Sequence, residues 1–264
     1  MNDLIHDSST SRGAGFGSAK LTSFQSESLH IPAERISDVS HLTSDIAISV
    51  SCISKYFDKE CVLKNVTRDF EKGKIHGIVG NNGSGKTVLM KCRCGFLVPD
   101  EGKVVVAGKH IGKDVDFPGD LGVIIETPGF LPNISGRKNL EILASLNKKI
   151  GVKEIEDAIA RVGLDPHMKK PVGNYSLGMR QRLGIAQAIM ENPSLLILDE
   201  PFNGLDKNSV SDMRKLIKEL KNEGKTILLT SHNQIEIDEL CDADVTKELK
   251  REEFAGLDSY FATA

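Results

Sequence analysis

Gly80 Asn81 Asn82 Gly83 Ser84 Gly85 Lys86 Thr87 follows directly on the apolar run Ile75 to Val79. Glycines at 80, 83 and 85 let the backbone curl so that successive N–H groups point inward, forming an anion-binding nest at a helix N-terminus. In that register Lys86 reaches the β- and γ-phosphates of a nucleotide, and the Thr87 hydroxyl is a ligand for Mg²⁺. A Gly-rich surface turn accounts for the glycines but not for Lys and Thr in register. The stretch therefore predicts a strand, a phosphate-binding loop over residues 80–87 and a helix over 85–96, together holding a nucleoside triphosphate.

Working outward, the chain of 264 residues can bury one substantial core with a small subdomain, but not two full α/β domains. A net charge of −3 offers no global reason to expect a nucleic-acid partner, and none is expected. No apolar stretch approaches the roughly 18 residues needed to span a bilayer, and the N-terminus lacks a basic segment followed by a hydrophobic one. The expectation is a cytoplasmic chain. Its five cysteines, Cys52, Cys61, Cys92, Cys94 and Cys241, are odd in number and scattered, which fits reduced thiols. Cys92 and Cys94 lack a second metal-like pair and read as packing residues on the helix after the loop.

Residues 1–45 are rich in Ser, Thr and Gly and read as a flexible extension, with a regulatory or docking segment as the alternative. From Ile46 strand-like runs follow at 46–53, 62–70 and 75–79, then the helix, a turn at Pro99 to Gly102 and a strand at 103–107. Between about 127 and 192 the spacing of apolar residues becomes helical, as in Ile155, Ala158, Ile159 and Val162. The order predicts an α/β core with an antiparallel β portion and a helical subdomain.

Leu195 to Leu198 is a continuous apolar run, as expected of a central parallel strand, and it ends in Asp199 Glu200. In a phosphate-loop protein a carboxylate at that place can hold Mg²⁺, which selects Asp199 with Thr87, and a second one can act as general base, which selects Glu200. Another buried run, Lys225 to Leu229, finishes at Thr230 Ser231 His232, so His232 faces the same crevice.

Taken together, Gly80 to Thr87, the stretch Tyr175 Ser176 Leu177 Gly178 Met179 Arg180 Gln181 Arg182 Leu183, Leu195 to Glu200, Gly204 Leu205 Asp206 and His232 resemble an ABC-type ATP-binding subunit over residues 46 to 244. The segment at Ser176 and Gly178, set 23 residues before Asp199, resembles the family signature. The resemblance implies a P-loop NTPase core, a mixed sheet with an antiparallel β subdomain, plus the helical subdomain. It also implies a head-to-tail dimer in which Ser176 and Gly178 of one subunit meet the γ-phosphate held by the other. Asp206 then links the two sites, and His232 touches the γ-phosphate. Phe57 aligns with the aromatic that stacks on adenine, with Tyr56 as the fallback. Glu126 occupies a place where most members carry glutamine near Mg²⁺ and the attacking water. That assigns it a metal-binding and catalytic role, and requires a nearby cation to offset its charge.

Glu126 and the variant signature are similar to the bacitracin and lantibiotic export or immunity branch. The implied activity is ATP hydrolysis that drives a separate integral membrane permease, with this chain peripheral on the inner face of the membrane. Phe130, Leu131 and Pro132 are candidates either for contact with that permease or for packing inside the subdomain. A soluble ABC ATPase acting on nucleic acid or the ribosome would carry a long coiled-coil insertion or tandem cassettes, whereas here 90 residues separate Lys86 from Ser176. A non-catalytic nucleotide-binding partner is the third reading, against which stand Lys86, Glu200 and His232. After Asp244 the family continues with another strand and hairpin, but Val245 to Glu253 reads as a charged, helix-like tail within 245–264.

Overall fold

The computed structural model describes residues 45–58 and 60–244. The expectations for the N-terminal extension and for the charged tail fall on residues outside this range. The described chain builds two sheets with helices between and beside them. Strands β1 (Ile46–Phe57), β2 (Glu60–Glu71), β4 (Glu101–Val106) and β5 (Lys109–His110) form an antiparallel sheet in the order β2-β1-β4-β5. Strands β3 (Ile75–Val79), β6 (Leu121–Ile124), β7 (Leu195–Leu198), β8 (Thr226–Ser231) and β9 (Ala243–Asp244) form a parallel sheet in the order β6-β7-β8-β3-β9.

Alternation along β7 and along residues 227–229 of β8 explains why those runs are apolar throughout. Leu196 and Leu198 of β7, with Ile227 and Leu229 of β8, pack into a core shared with the helices of the second half of the chain. Leu195 and Ile197 of β7, with Leu228 of β8 and Ile78 of β3, point the other way. There they meet helix α1 (Lys86–Cys94) and the inner residues of the antiparallel sheet, among them Ile48, Val50, Leu63 and Val104. Polar residues of β8 stand at its two ends, Thr226, Thr230 and Ser231, while the buried His76 within β3 has its Nε2 2.9 Å from the Glu71 carbonyl.

α1 is shorter at both ends than the apolar pattern predicts, because Gly85 (φ 90°) and Gly95 (φ 81°) sit in the left-handed region and act as its caps. Cys92 and Cys94 are fully buried on it, and burial pushes their thiols up to about 11 and about 12. Arg93 is buried between them with its guanidinium 4.1 Å from the centre of the Phe70 ring, an aromatic face taking the place of a carboxylate.

The second half supplies helices α2 (Gly136–Asn147), α3 (Val152–Arg161), α4 (Leu177–Ile189), α5 (Lys207–Asn222) and α6 (Gln234–Leu240). Ile155, Ala158, Ile159 and Val162 are all buried, as their spacing requires. Phe130 is partly buried against this core, whereas Leu131 and Pro132 are exposed, so the three adjacent residues divide between packing and surface. At the far edge β9 adds two residues beside β3, and Asp242 just before it accepts the Ile75 N–H at 2.8 Å.

Candidate nucleotide site

Because β6, β7, β8 and β3 run parallel, their C-terminal ends lie along one edge of the sheet. The strand order then decides which loops are neighbours: His232 after β8 lies between Asp199 and Glu200 after β7 and the Gly80 loop after β3. Ligands of open α/β sheets bind at this edge. The loop residues Asn81 to Thr87, Phe57 and Glu200 line a cleft of about 520 Å³ there.

Within the cleft the side chains hold one another. Lys86 is buried and its Nζ donates to the Gly80 carbonyl and, at 3.0 Å, to the Asn81 carbonyl. The same nitrogen lies 3.4 Å from Glu200 Oε1. The Thr87 hydroxyl donates to Asp199 Oδ2 at 2.7 Å, and the Thr230 hydroxyl donates to Asp199 Oδ1 at 2.6 Å. Glu200 Oε2 lies 2.9 Å from His232 Nδ1, while Oε1 has no hydrogen-bond partner although it is buried. Glu200 adopts φ 49°, a conformation non-glycine residues avoid, so its placement is held by its neighbours.

Oxygen donors suit Mg²⁺, and Thr87 Oγ1 with Asp199 Oδ2 offers a hydroxyl and a carboxylate 2.7 Å apart, so the residues fit that ion. Among the described residues no group of three or more His, Cys, Asp or Glu side chains converges as a protein-only metal site.

Phe57 is an exposed residue lining the cleft, with the Lys55 ammonium 5.6 Å from the centre of its ring. Tyr56, equally exposed, is not among the lining residues, and its N–H is bound to Asp100 Oδ2 at 2.7 Å. Glu126 follows β6 at φ 61° and pairs with Lys91 Nζ at 2.6 Å. Lys91 lies one turn beyond Thr87 on α1, and it is the cation that Glu126 has beside it.

Ser176, Gly178 and Asp206 form a separate cluster. Ser176 is exposed and caps α4, its Oγ accepting the Met179 N–H at 3.2 Å. Gly178 lies against the loop before α5: a Cβ there would sit 3.0 Å from the Gly204 carbonyl oxygen. Asp206 caps α5, accepting the Asn208 and Ser209 N–H groups at 3.0 Å and the Ser209 hydroxyl at 2.7 Å. Those bonds, the Ser209 N–H foremost, hold its carboxyl below the usual range. None of the three lines the cleft.

Residues 63–203 match the protein family described as ABC transporter. A Bacillus subtilis ABC transporter ATP-binding protein, YybJ, is 43% identical over 195 residues, which cover 74% of this chain and 89% of that protein. The chain belongs to the ABC transporter family. Within it the chain is an ATP-binding, ATP-hydrolysing protein. The Enterococcus faecalis bacitracin transport ATP-binding protein BcrA is 40% identical over 200 residues, covering 75% of this chain but just under two thirds, 65%, of BcrA. A solved ATP-binding subunit of an ABC transporter superposes with a TM-score of 0.66 at 26% identity, over 74% of this chain and 83% of that structure. In this ABC ATPase no helix among the described residues is long and apolar enough to cross a membrane.

Sequence reading did not single out Thr230, Lys91 or Gln181. Thr230 was visible only as the first polar residue after a buried run, and Lys91 only as a position four residues beyond Thr87. Gln181 stood only as one member of the stretch Tyr175 to Leu183, with nothing to mark its partner, which lies across the fold.

Proposed function

We propose that the chain is the ATP-hydrolysing subunit of a transporter whose membrane-spanning part is a separate protein, and that it serves export of, or immunity to, an antimicrobial peptide. The observation that carries the catalytic part is Glu200. One of its oxygens is tied to His232, and the other is buried without a hydrogen bond, 3.4 Å from the Lys86 ammonium at the mouth of the phosphate loop. In this reading Glu200 accepts a proton from water as the water oxygen forms a bond to the γ-phosphorus. The bond from that phosphorus to the β–γ bridging oxygen breaks, and its electron pair leaves with ADP. Lys86 and the loop amides balance the negative charge on the phosphates, and His232 orients Glu200 and meets the γ-phosphate. Thr87 and Asp199, with Glu126 nearby, would hold Mg²⁺, which neutralises phosphate charge when bound.

Residues 46–244 are taken as the ATP-binding domain, with a helical subdomain over about 127–192. Ser176 and Gly178 stand outside the cleft of their own chain, which supports a head-to-tail dimer in which they complete the partner's pocket, with Asp206 between the two sites. The name of BcrA supports the peptide-antibiotic class, and the exposed Leu131 and Pro132 suit contact with a permease at the inner face of the membrane.

Co-expression with a neighbouring multi-span membrane protein tests this reading. The expected outcome is a co-purifying complex that hydrolyses ATP and raises resistance to bacitracin or a related peptide in a sensitive host. A complex that hydrolyses ATP without any change in resistance removes the substrate class. A chain that hydrolyses ATP but binds no membrane protein removes the transporter assignment.

A further inference from the structure

Glu200 has the backbone of a strained residue and the side chain of the proposed base, so whatever holds its peptide decides where its carboxylate points. Its N–H is held by the Thr230 hydroxyl at 2.9 Å, and Thr230 is fully buried between Asp199 and Glu200. Its carbonyl accepts two hydrogen bonds, from Gln181 Nε2 at 3.2 Å and from the Asn203 N–H of the following turn at 3.1 Å. Gln181 is itself buried, on α4, five residues after the cap Ser176. With φ at 49°, Glu200 lies in a well that an unrestrained non-glycine peptide leaves for the helical or extended regions. These three bonds clamp both ends of the residue in that well, and of the two on the carbonyl only the one from Gln181 comes from another helix.

We infer that Gln181 is a positioning residue for Glu200: through its amide, the seating of helix α4 sets the backbone of the residue that faces the γ-phosphate. The clamp has an asymmetry that matters. Thr230 belongs to the same sheet edge as Asp199 and moves with it, whereas Gln181 belongs to the helix that begins at Ser176. A displacement of α4 when Ser176 engages a nucleotide is therefore passed to Glu200 by one hydrogen bond. The inference rests on the reading of Glu200 as the base.

Gln181→Met keeps the length and bulk of the side chain and removes the donor, without touching the phosphate loop. In the full chain, kcat for ATP is expected to fall about ten-fold, since small misplacements of a catalytic group weaken rate more than binding. KM and the dissociation constant of a fluorescent ATP analogue are expected to change by less than about two-fold, because Lys86 and the loop amides are untouched. Combined with Glu200→Gln, Gln181→Met is expected to cause no further loss, because it acts only through Glu200. Gln181→Leu, which also lacks the donor, replaces the methionine variant if that one does not fold, and must give the same split. An unchanged kcat, a parallel loss of kcat and nucleotide affinity, or a further loss on top of Glu200→Gln each overturns the inference. Failure of Glu200→Gln itself to impair turnover would instead remove the base assignment, so the two failures are distinguishable.

Discussion

Helices α1 and α4 both begin at residues proposed to meet phosphates, yet their first turns are finished in opposite ways. α1 starts at Gly85, which has no side chain to cap it, and its leading N–H groups are left to the loop and to whatever anion arrives. α4 starts at Ser176, whose hydroxyl already accepts the Met179 N–H. One helix end is built to be completed by a ligand, and the other is satisfied by its own chain. Half of the proposed composite site is thus preorganised within one subunit, while the other half costs little to leave waiting in solvent.

The strongest challenge to the preorganised half is Glu200→Gln. It is expected to lower turnover by at least about 100-fold, the usual range for loss of a general base, while lengthening the life of an ATP-bound dimer seen by light scattering. Undiminished phosphate release would sink the assignment.

Next in size is the edge of that half, where Glu126 is paired with Lys91. Glu126→Ala is expected to slow hydrolysis roughly ten-fold and Glu126→Gln less, since the amide keeps an oxygen for metal or water. Steady-state rates equal to wild type in both variants would place Glu126 outside the site.

For the waiting half, Ser176→Ala removes a cap and is expected to cost about 1 kcal/mol of stability, whereas Ser176→Gly costs only a few tenths, in thermal unfolding. If Ser176 also meets the partner's nucleotide, both variants lose turnover although only one loses stability. Turnover that merely follows stability would reduce Ser176 to a helix cap.

The smallest effect concerns Asp206. Its carboxyl is held below the ordinary range in the folded chain, so its contribution to stability is fully present above the unfolded value, about 3.9, and is lost as pH falls through the folded one. Asp206→Asn keeps a good capping residue and is expected to flatten the acid limb of the stability curve without changing it at pH 7. An unaltered acid limb would show that the cap does not titrate with folding.

The parts that were legible in the sequence share a physical property: their partners are close along the chain or their environment is uniform. The phosphate loop is a local backbone device, and β7 was readable because its four apolar residues are all buried, one face against each core. The limits of α1 were misjudged by one or two residues because Gly85 and Gly95, compatible with a helix by composition, are spent on left-handed caps. Arg93 gave no sign of its burial, since an arginine reads as surface until a ring such as Phe70 is found above it.

From local chemistry the residues dictated an anion-binding loop, two acids at the end of a buried strand and a histidine at the end of another. Only the strand order β6-β7-β8-β3 set Thr230 between Asp199 and Glu200, brought His232 to Glu200, put Lys91 beside Glu126 and reached Gln181 across to the Glu200 carbonyl. The reason is range: a loop's conformation is decided by its own φ and ψ preferences. Which loops stand side by side is decided by how parallel strands are ordered, and that order follows from burying both faces of the sheet at once.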